Sequence, residues 1–395
     1  MTSIPYGKQH ITIDDLAAVE KALQSDYLTQ GPTIKLFEDA FASYVGAKYA
    51  VAVSNGTAAL HLSALALGVD NESNVITTPI TFAATANCIR YCGGNVWFAD
   101  IDPINYTLDL KKTEELILSK PPHFFKGIIP VDFAGHPVDL EAFRKLADKH
   151  GLWLIEDACH APGGFFTDST HNNQYCGNGA YADLAIFSFH PVKHIATGEG
   201  GMITTNNLDL YKKLLLLRSH GITRDSSQFV NPSAFAAGSA SDAYPGWYME
   251  MQTLGYNYRF TDFQSALGIS QLKRANDGLE KRRKIAKTYA EAFAHVSFII
   301  GQSGVVDGHA YHLYVIETDK RLELYEFLKT KQIFTQVHYI PCHLMPYYRE
   351  LGWKEGALPI AENYYKHCLS LPMYPTLTDT EQQYVIDTIN NFFSA

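Results

Sequence analysis

Leu184-Ala185-Ile186-Phe187-Ser188-Phe189-His190-Pro191-Val192-Lys193 runs through His194-Ile195-Ala196-Thr197 into Gly198-Glu199-Gly200-Gly201-Met202-Ile203-Thr204. The run 184–189 reads as a buried strand that an aromatic-His-Pro turn stops at a lysine; a glycine-rich loop then leads to a second apolar run. That loop is too short for a helical crossover, so the two strands should pair antiparallel. Upstream, short apolar runs at 49–53, 75–76, 96–101, 127–131 and 152–155 alternate with amphipathic helical patterns at 57–67, 83–91 and 140–150. Strands alternating with helices predict βαβ units and a mostly parallel sheet covered on both faces.

Beyond about residue 255 the texture changes. Residues 261–293 read as one long helix, interrupted in composition only by Gly268 and Gly278. Strand-like runs at 312–317 and 335–339 follow, and Thr378-Asp379-Thr380-Glu381 has the form of a capping box opening a final helix. The spacing predicts a large α/β domain over 1–260 and, over 261–395, a linking helix with a smaller α/β domain. Residues 224–252, rich in Ser, Ala, Gly and aromatics, are expected to leave the fold as an excursion or mobile loop.

The chain has 395 residues, with Lys+Arg 32 against Asp+Glu 41 and a formal net charge of -9. That balance argues against nonspecific binding to nucleic acid or an anionic membrane. Six scattered cysteines form no C-x-x-C pair, and residues 1–30 lack the apolar core of a signal peptide. No apolar run is long enough to span a bilayer, so a cytoplasmic chain with free thiols is expected. Tyr 24 and Phe 22 are a surplus to be shared among core, interface and ligand cradle.

In an open parallel sheet, ligands sit beyond the carboxyl ends of the strands. Ser54-Asn55-Gly56-Thr57 there combines a turn, a helix start and a hydroxyl; it can cradle a phosphate or simply cap the helix. Glu156-Asp157-Ala158-Cys159-His160 follows a buried strand. Alone it is more often a strand-end cap, but its carboxylate can also pair with a protonated ring nitrogen. Lys193, between an apolar strand and a glycine-rich loop, has reason to lose its proton and act as an amine nucleophile. Phe82, at another strand end, can stack on a flat ring. Phosphate cradle, ring-nitrogen carboxylate, Schiff-base lysine and stacking aromatic are together what pyridoxal 5'-phosphate (PLP) needs.

These residues carry a likeness over nearly the whole chain. Leu28-Thr29-Gln30-Gly31-Pro32, 54–60, 78–84, Glu156-Asp157-Ala158, 188–193 with 197–201, Arg218-Ser219-His220-Gly221 and Gly255-Tyr256-Asn257-Tyr258-Arg259 resemble the DegT/DnrJ/EryC1/StrS sugar aminotransferases. The resemblance implies fold type I, the aspartate-aminotransferase architecture with a seven-stranded sheet. It implies that Lys193 holds the cofactor and shuttles the proton, Asp157 pairs with the pyridine nitrogen, and Phe82 covers the ring. Gly56, Thr57 and Ser188 would meet the phosphate or ring hydroxyl, with His160 beside the cofactor. Asn257 would reach the phosphate of a neighbouring subunit, making a homodimer with shared sites. Relatives with His at the lysine position are dehydratases, so Lys193 favours aminotransfer.

Within the family the closest likeness is to the pseudaminic-acid branch, which serves surface polysaccharide and flagellin glycosylation. That branch aminates C4 of a UDP-4-keto-6-deoxy-N-acetylhexosamine from L-glutamate, releasing 2-oxoglutarate. Its pointers here are 131–135, 76–80, His160, 218–221, 264–268 and 336–339. By that likeness Tyr6, Asp26, Tyr27, Leu28, Thr29, Gln336, Val337, His338 and Tyr339 would line the nucleotide-sugar pocket. Residues 167–181 look inserted and 224–252 look long for the branch. GDP- or dTDP-linked sugars of perosamine, legionaminic or 4-amino-arabinose type are the alternatives.

Other signals point elsewhere. Gly177-Asn178-Gly179-Ala180-Tyr181-Ala182 matches a dinucleotide fingerprint in letters, but follows the polar residues 171–174 rather than a strand. Asp100-Ile101-Asp102 mimics the metal-binding pair of a nucleotide-sugar glycosyltransferase, although Asp102-Pro103 fits a turn. His338, Cys342 and His343 read as rim or core, and no metal is expected. A non-catalytic sensor would leave Asp157, Ser188 and Lys193 without a task.

Overall fold

The computed structural model describes residues 3–301 and 305–394. Seven strands form the main sheet: β1 (Tyr49–Val53), β2 (Asn74–Thr77), β3 (Asn95–Phe98), β4 (Gly127–Ile129), β5 (Trp153–Asp157), β6 (Leu184–Ser188) and β7 (Gly201–Thr205). Their order is β1-β7-β6-β5-β4-β2-β3. β2, β3, β4, β5 and β6 run parallel, while β7 lies antiparallel to both β1 and β6. The expected antiparallel pair is therefore present, and β7 has a second such neighbour that the sequence did not announce. Because β7 runs against the rest, Val53 and Ser188 both stand opposite Gly201. The carboxyl ends of β1 and β6 thus meet at one edge with the glycine-rich loop.

Burial explains the strand choice. All of Leu184, Ala185, Ile186 and Phe187 are buried, as a strand packed on both faces requires. On one face, α2 (Pro32–Val45) sends Phe37 and Phe41 against the sheet; Phe41 lies 4.9 Å from Phe187 and Phe37 5.3 Å from Phe189, centroid to centroid. On the other, α3 (Gly56–Ala66) is buried nearly all round, so its apolar residues do not mark a single stripe.

The helical run at 261–293 is two helices, α8 (Asp262–Leu272) and α9 (Ala275–Phe293). The break falls at Lys273 and Arg274 and at neither glycine. Arg274 leaves the helical path to bind the carbonyl of His10 and the fully buried Asp15 carboxylate, a tertiary demand that composition does not reveal. Gly268 instead serves packing: a Cβ there would lie 2.6 Å from the Phe37 ring.

The second strand expected in the C-terminal part, over 335–339, is corrected. Only Gln336 bridges to Ser370, and β8 (Tyr314–Glu317) pairs instead with β9 (Cys368–Leu371) and with the short strand Ile300–Gly301. The capping box is present, with Thr378 and Glu381 each accepting from the other's backbone N–H. Residues 224–252 do make an excursion, closed at its base by pairing of Ile222–Thr223 with Glu250–Met251. Residues 167–181 begin on a small antiparallel hairpin, Phe165–Thr167 with Asn173–Tyr175. A short strand therefore does precede Gly177, but it is no βα unit, and the fingerprint still fails.

Candidate active site

Asp157 is the last residue of β5 and 4 % exposed. Its Oδ2 accepts from Thr85 Oγ1 at 2.7 Å, and its Oδ1 accepts from the backbone N–H of Cys159 at 3.2 Å. Thr85 spends its proton on Asp157, so Thr81 Oγ1, 2.8 Å away, must donate to Thr85. The carboxylate is thus aimed by a relay of two hydroxyls at the start of α4 (Ala84–Tyr91).

Lys193 lies just past β6, in a turn closed by its own N–H to the carbonyl of His190 at 2.8 Å. Burial holds its amine below the ordinary lysine value and Arg282 adds to this; Cys159 and Asp157 oppose it. Its side chain is part-buried, and no hydrogen bond engages its Nζ among the described residues. An unengaged amine with reduced proton affinity is suited to attack a carbonyl carbon.

A third group forms at the β1–α3 junction. Asn55 caps α3 by accepting from Ala58 N–H, so the cap reading of this turn is correct. It leaves the N–H groups of Gly56 and Thr57 at the helix N-terminus for another acceptor. Backbones approach closely there: a Cβ on Gly201 would lie 2.5 Å from the Asn55 carbonyl, and one on Gly56 3.0 Å from Ser188 Cβ. Gly56, Thr57 and Ser188 are therefore gathered, with room for backbone but not for added side chains.

Aromatic rings surround the remaining sides. Tyr339 lies 6.4 Å from Phe82 and 6.1 Å from Phe133, and its hydroxyl is 3.4 Å from His160 Nε2. His160 Nδ1 accepts from Ala134 N–H at 3.2 Å, and its ring packs 4.3 Å from His312. Tyr6 packs 5.4 Å from His338, whose Nδ1 lies 2.9 Å from Ser370 Oγ. Burial pushes His338 down to about 3 and holds His160, His194 and His312 well below the usual histidine value. At neutral pH these imidazoles are uncharged hydrogen-bonding and stacking surfaces, not cations.

The structure thus brings Phe82, His160, His338, Tyr339 and Tyr6 into one ring-to-ring network. Asp26, Tyr27, Leu28 and Thr29 are exposed and stand apart from it. They are tied instead to the start of α8, where Asp262 N–H donates to the Leu28 carbonyl and Thr29 bridges to Thr261. Gln336 is exposed, and Val337 packs partly against the cores of both sheets. Asn257 is exposed beside Ser219, in a segment that donates and accepts along Arg218, His220 and Ser54.

Sequence reasoning did not single out Thr81, Thr85 or His312. The two threonines four apart across a helix start were a usable signal, since residues so spaced share a helix face. Nothing in the sequence pairs His312 with His160. Asp100 caps the helix Pro359–His367 through Ile360 and Ala361 N–H, and Asp102 closes its own turn. His343 is bound to Glu362 at 2.9 Å.

The donor set fits PLP. A buried carboxylate at one end suits a ring N–H, the free N–H groups of Gly56 and Thr57 at the other suit a phosphate, and the unengaged amine of Lys193 suits an aldehyde. Comparison with known proteins agrees. The model of the DegT/DnrJ/EryC1/StrS aminotransferase family matches residues 9–390. The chain is 38% identical to the spore coat polysaccharide biosynthesis protein SpsC of Bacillus subtilis over 98% of this chain and 96% of that one. It is 36% identical to a UDP-4-amino-4,6-dideoxy-N-acetyl-beta-L-altrosamine transaminase of Campylobacter jejuni, again over 98% and 96%. Helicobacter pylori PseC, an aminotransferase of pseudaminic acid biosynthesis, superposes with a TM-score of 0.86 at 30% identity, each chain covered in full. The fold is fold type I, and the chain belongs to the DegT/DnrJ/EryC1/StrS family of PLP-dependent sugar aminotransferases.

Proposed function

We propose that this enzyme transfers the amino group of L-glutamate to C4 of a UDP-linked 4-keto-6-deoxy-N-acetylhexosamine, in the manner of the pseudaminic-acid branch. The observation that carries the reading is the full-length likeness to the altrosamine transaminase, together with the PseC superposition. When bound, PLP supplies an electrophilic aldehyde and an electron sink. The protein's part is to place groups around it. Lys193 would hold the aldehyde end of the cofactor, and its amine, when free, would be the group placed to take up and return a proton. Asp157, held by Thr85 and Cys159, would bind the ring N–H. Gly56, Thr57 and Ser188 would hold the phosphate and the adjoining hydroxyl, and Phe82 and His160 would pack against the ring.

On this reading residues 1–260 form the cofactor domain and 261–395 the smaller one, and two chains pair so that Asn257 of each reaches the phosphate held by the other. Pairing would also give Asp26, Tyr27, Leu28 and Thr29 a pocket to line with Tyr6, Gln336, Val337, His338 and Tyr339. The reading carries a cytoplasmic location with it; among the described residues no helix is long and apolar enough to cross a membrane.

The test is to incubate the holoenzyme with glutamate and a panel of UDP-, GDP- and dTDP-linked 4-keto-6-deoxy sugars. The expected product is a UDP-linked 4-amino sugar bearing the N-acetyl group. Amination of a GDP- or dTDP-linked sugar in preference would overturn the assignment while leaving the chemistry intact.

A further inference from the structure

Directly behind Asp157, two more carboxyl groups are sealed in the interior. Asp132 is 0 % and Glu156 1 % exposed. Each has one oxygen satisfied by backbone: Asp132 Oδ1 accepts from Val138 N–H at 2.9 Å, and Glu156 Oε2 from Gly177 N–H at 2.9 Å. The other oxygens, Asp132 Oδ2 and Glu156 Oε1, have no hydrogen-bond partner among the described residues. Ligand atoms of the two carboxyls and of Cys176 lie within 4.8 Å of one another, and the Cys176 thiol is the side-chain donor beside both. Two bare carboxylates so close in a dry interior would repel, and one weak thiol donor cannot serve both, whereas one proton between them satisfies both oxygens.

We propose that Asp132 and Glu156 share one proton, and that this bridged pair is a positioning device for the two cofactor-facing residues Asp157 and His160. The connections are short. Asp132 N–H donates to the Asp157 carbonyl at 3.0 Å, and Asp157 N–H donates to the Pro130 carbonyl at 3.0 Å. The turn that Asp132 opens also carries Ala134, whose N–H orients His160. Bridging the side chains of Asp132 and Glu156 therefore locks the end of β4 to the end of β5 just where both residues project. The charged and titratable groups facing the pair are Asp157 and Cys159 from the end of β5 and Cys176 from the turn after the hairpin.

Burial raises both Asp132 and Glu156 above the usual carboxylate range, which agrees with a retained proton. Burial also pushes the Cys176 thiol well up, and a closed zinc site wants a thiolate and four ligands where this cluster has three side chains. A proton fits better than a metal ion. An acid whose folded value is raised binds more protons folded than unfolded. Its presence makes stability fall as pH rises from the ordinary carboxylate value of about 4 toward the raised folded value.

The proposal rests on Asp157 and His160 facing the cofactor, so its test includes readouts that need no substrate. Infrared difference spectra of the holoenzyme should show a protonated carboxyl C=O stretch near neutral pH that disappears in Glu156→Gln, and the same band should persist in Lys193→Ala. Glu156→Gln, which keeps a donor and an acceptor, should retain cofactor affinity and lose the downward stability slope between those pH values. Glu156→Met should bind the cofactor roughly tenfold or more weakly, because it strands buried acceptors. Absence of the band, equal affinity losses in Gln and Met variants, or a stoichiometric metal lost with Glu156→Gln would each overturn the proposal. The infrared measurement decides even if Glu156→Met fails to fold.

Discussion

The floor of the site and its rim are built on different terms. The floor, comprising Asp157, Thr85, Lys193 and the Gly56–Ser188 junction, consists of strand ends and helix starts, and Asp157 is 4 % exposed. Its geometry is determined within one chain by hydrogen bonds between elements distant in sequence. The rim is the reverse: Phe82 is 64 % and Tyr27 55 % exposed, and Asn257 lies open at an edge. The groups at the floor are anchored in the sheet, while those proposed to cover the ring, reach the phosphate from a second chain or line the sugar pocket sit where a loop or a second chain can alter them cheaply. This is the usual division between a rigid scaffold and variable connections.

The comparison can be broken most sharply at Lys193. On the proposed reading Lys193→Ala should cut turnover by about four orders of magnitude while leaving the thermal midpoint of the cofactor-free protein unchanged, because the amine would serve as nucleophile and proton carrier and makes no hydrogen bond within the protein. Steady-state kinetics and a melting curve check both halves. In the native enzyme, the acid limb of the pH–rate profile governed by that amine should lie below the ordinary lysine value, since the amine acts in its neutral form and burial favours that form.

Next comes the relay. Thr85→Val keeps the shape but removes the donor to Asp157; kcat should fall roughly 10- to 100-fold, with Thr85→Ser recovering most of the loss. If Val and Ser behave alike, the hydroxyl does not aim the carboxylate. Asn257→Ala should weaken cofactor retention about tenfold, measured by dialysis and the cofactor absorption band, with the floor's hydrogen bonds untouched. Unchanged retention would remove Asn257 from the site. The smallest effect is expected at Gln336→Ala, which should raise KM for the nucleotide sugar a few-fold, about 1 kcal/mol or less, at constant kcat.

Much of the floor is legible in the amino-acid sequence. Lys193, Asp157 and Ser188 announce themselves because each ends an apolar run, and strand ends are where an open sheet presents chemistry. Thr85 escapes notice because a threonine near a helix start is ordinary until the carboxylate it serves is known. The long helix expected at 261–293 breaks at Arg274, where an ion pair with Asp15 outweighs local helical preference. The strand expected over 335–339 fails for a similar reason: its hydrophobic alternation faces the site, and Ser370 bridges it only at Gln336.

By itself, the sequence determined the alternation of elements, the place of Lys193 just past a buried strand and the negative net charge. Those properties follow from local periodicity and from charge, which a linear chain displays openly. Only the tertiary structure decided that β7 is flanked by two antiparallel neighbours, that Thr81 and Thr85 hold Asp157, and that His160 stacks on His312. It alone showed that Asp132 and Glu156 meet in the dry interior. Each is a contact between residues far apart in the chain, and burial sets its strength; neither partner nor solvent exposure is written in the letters on either side.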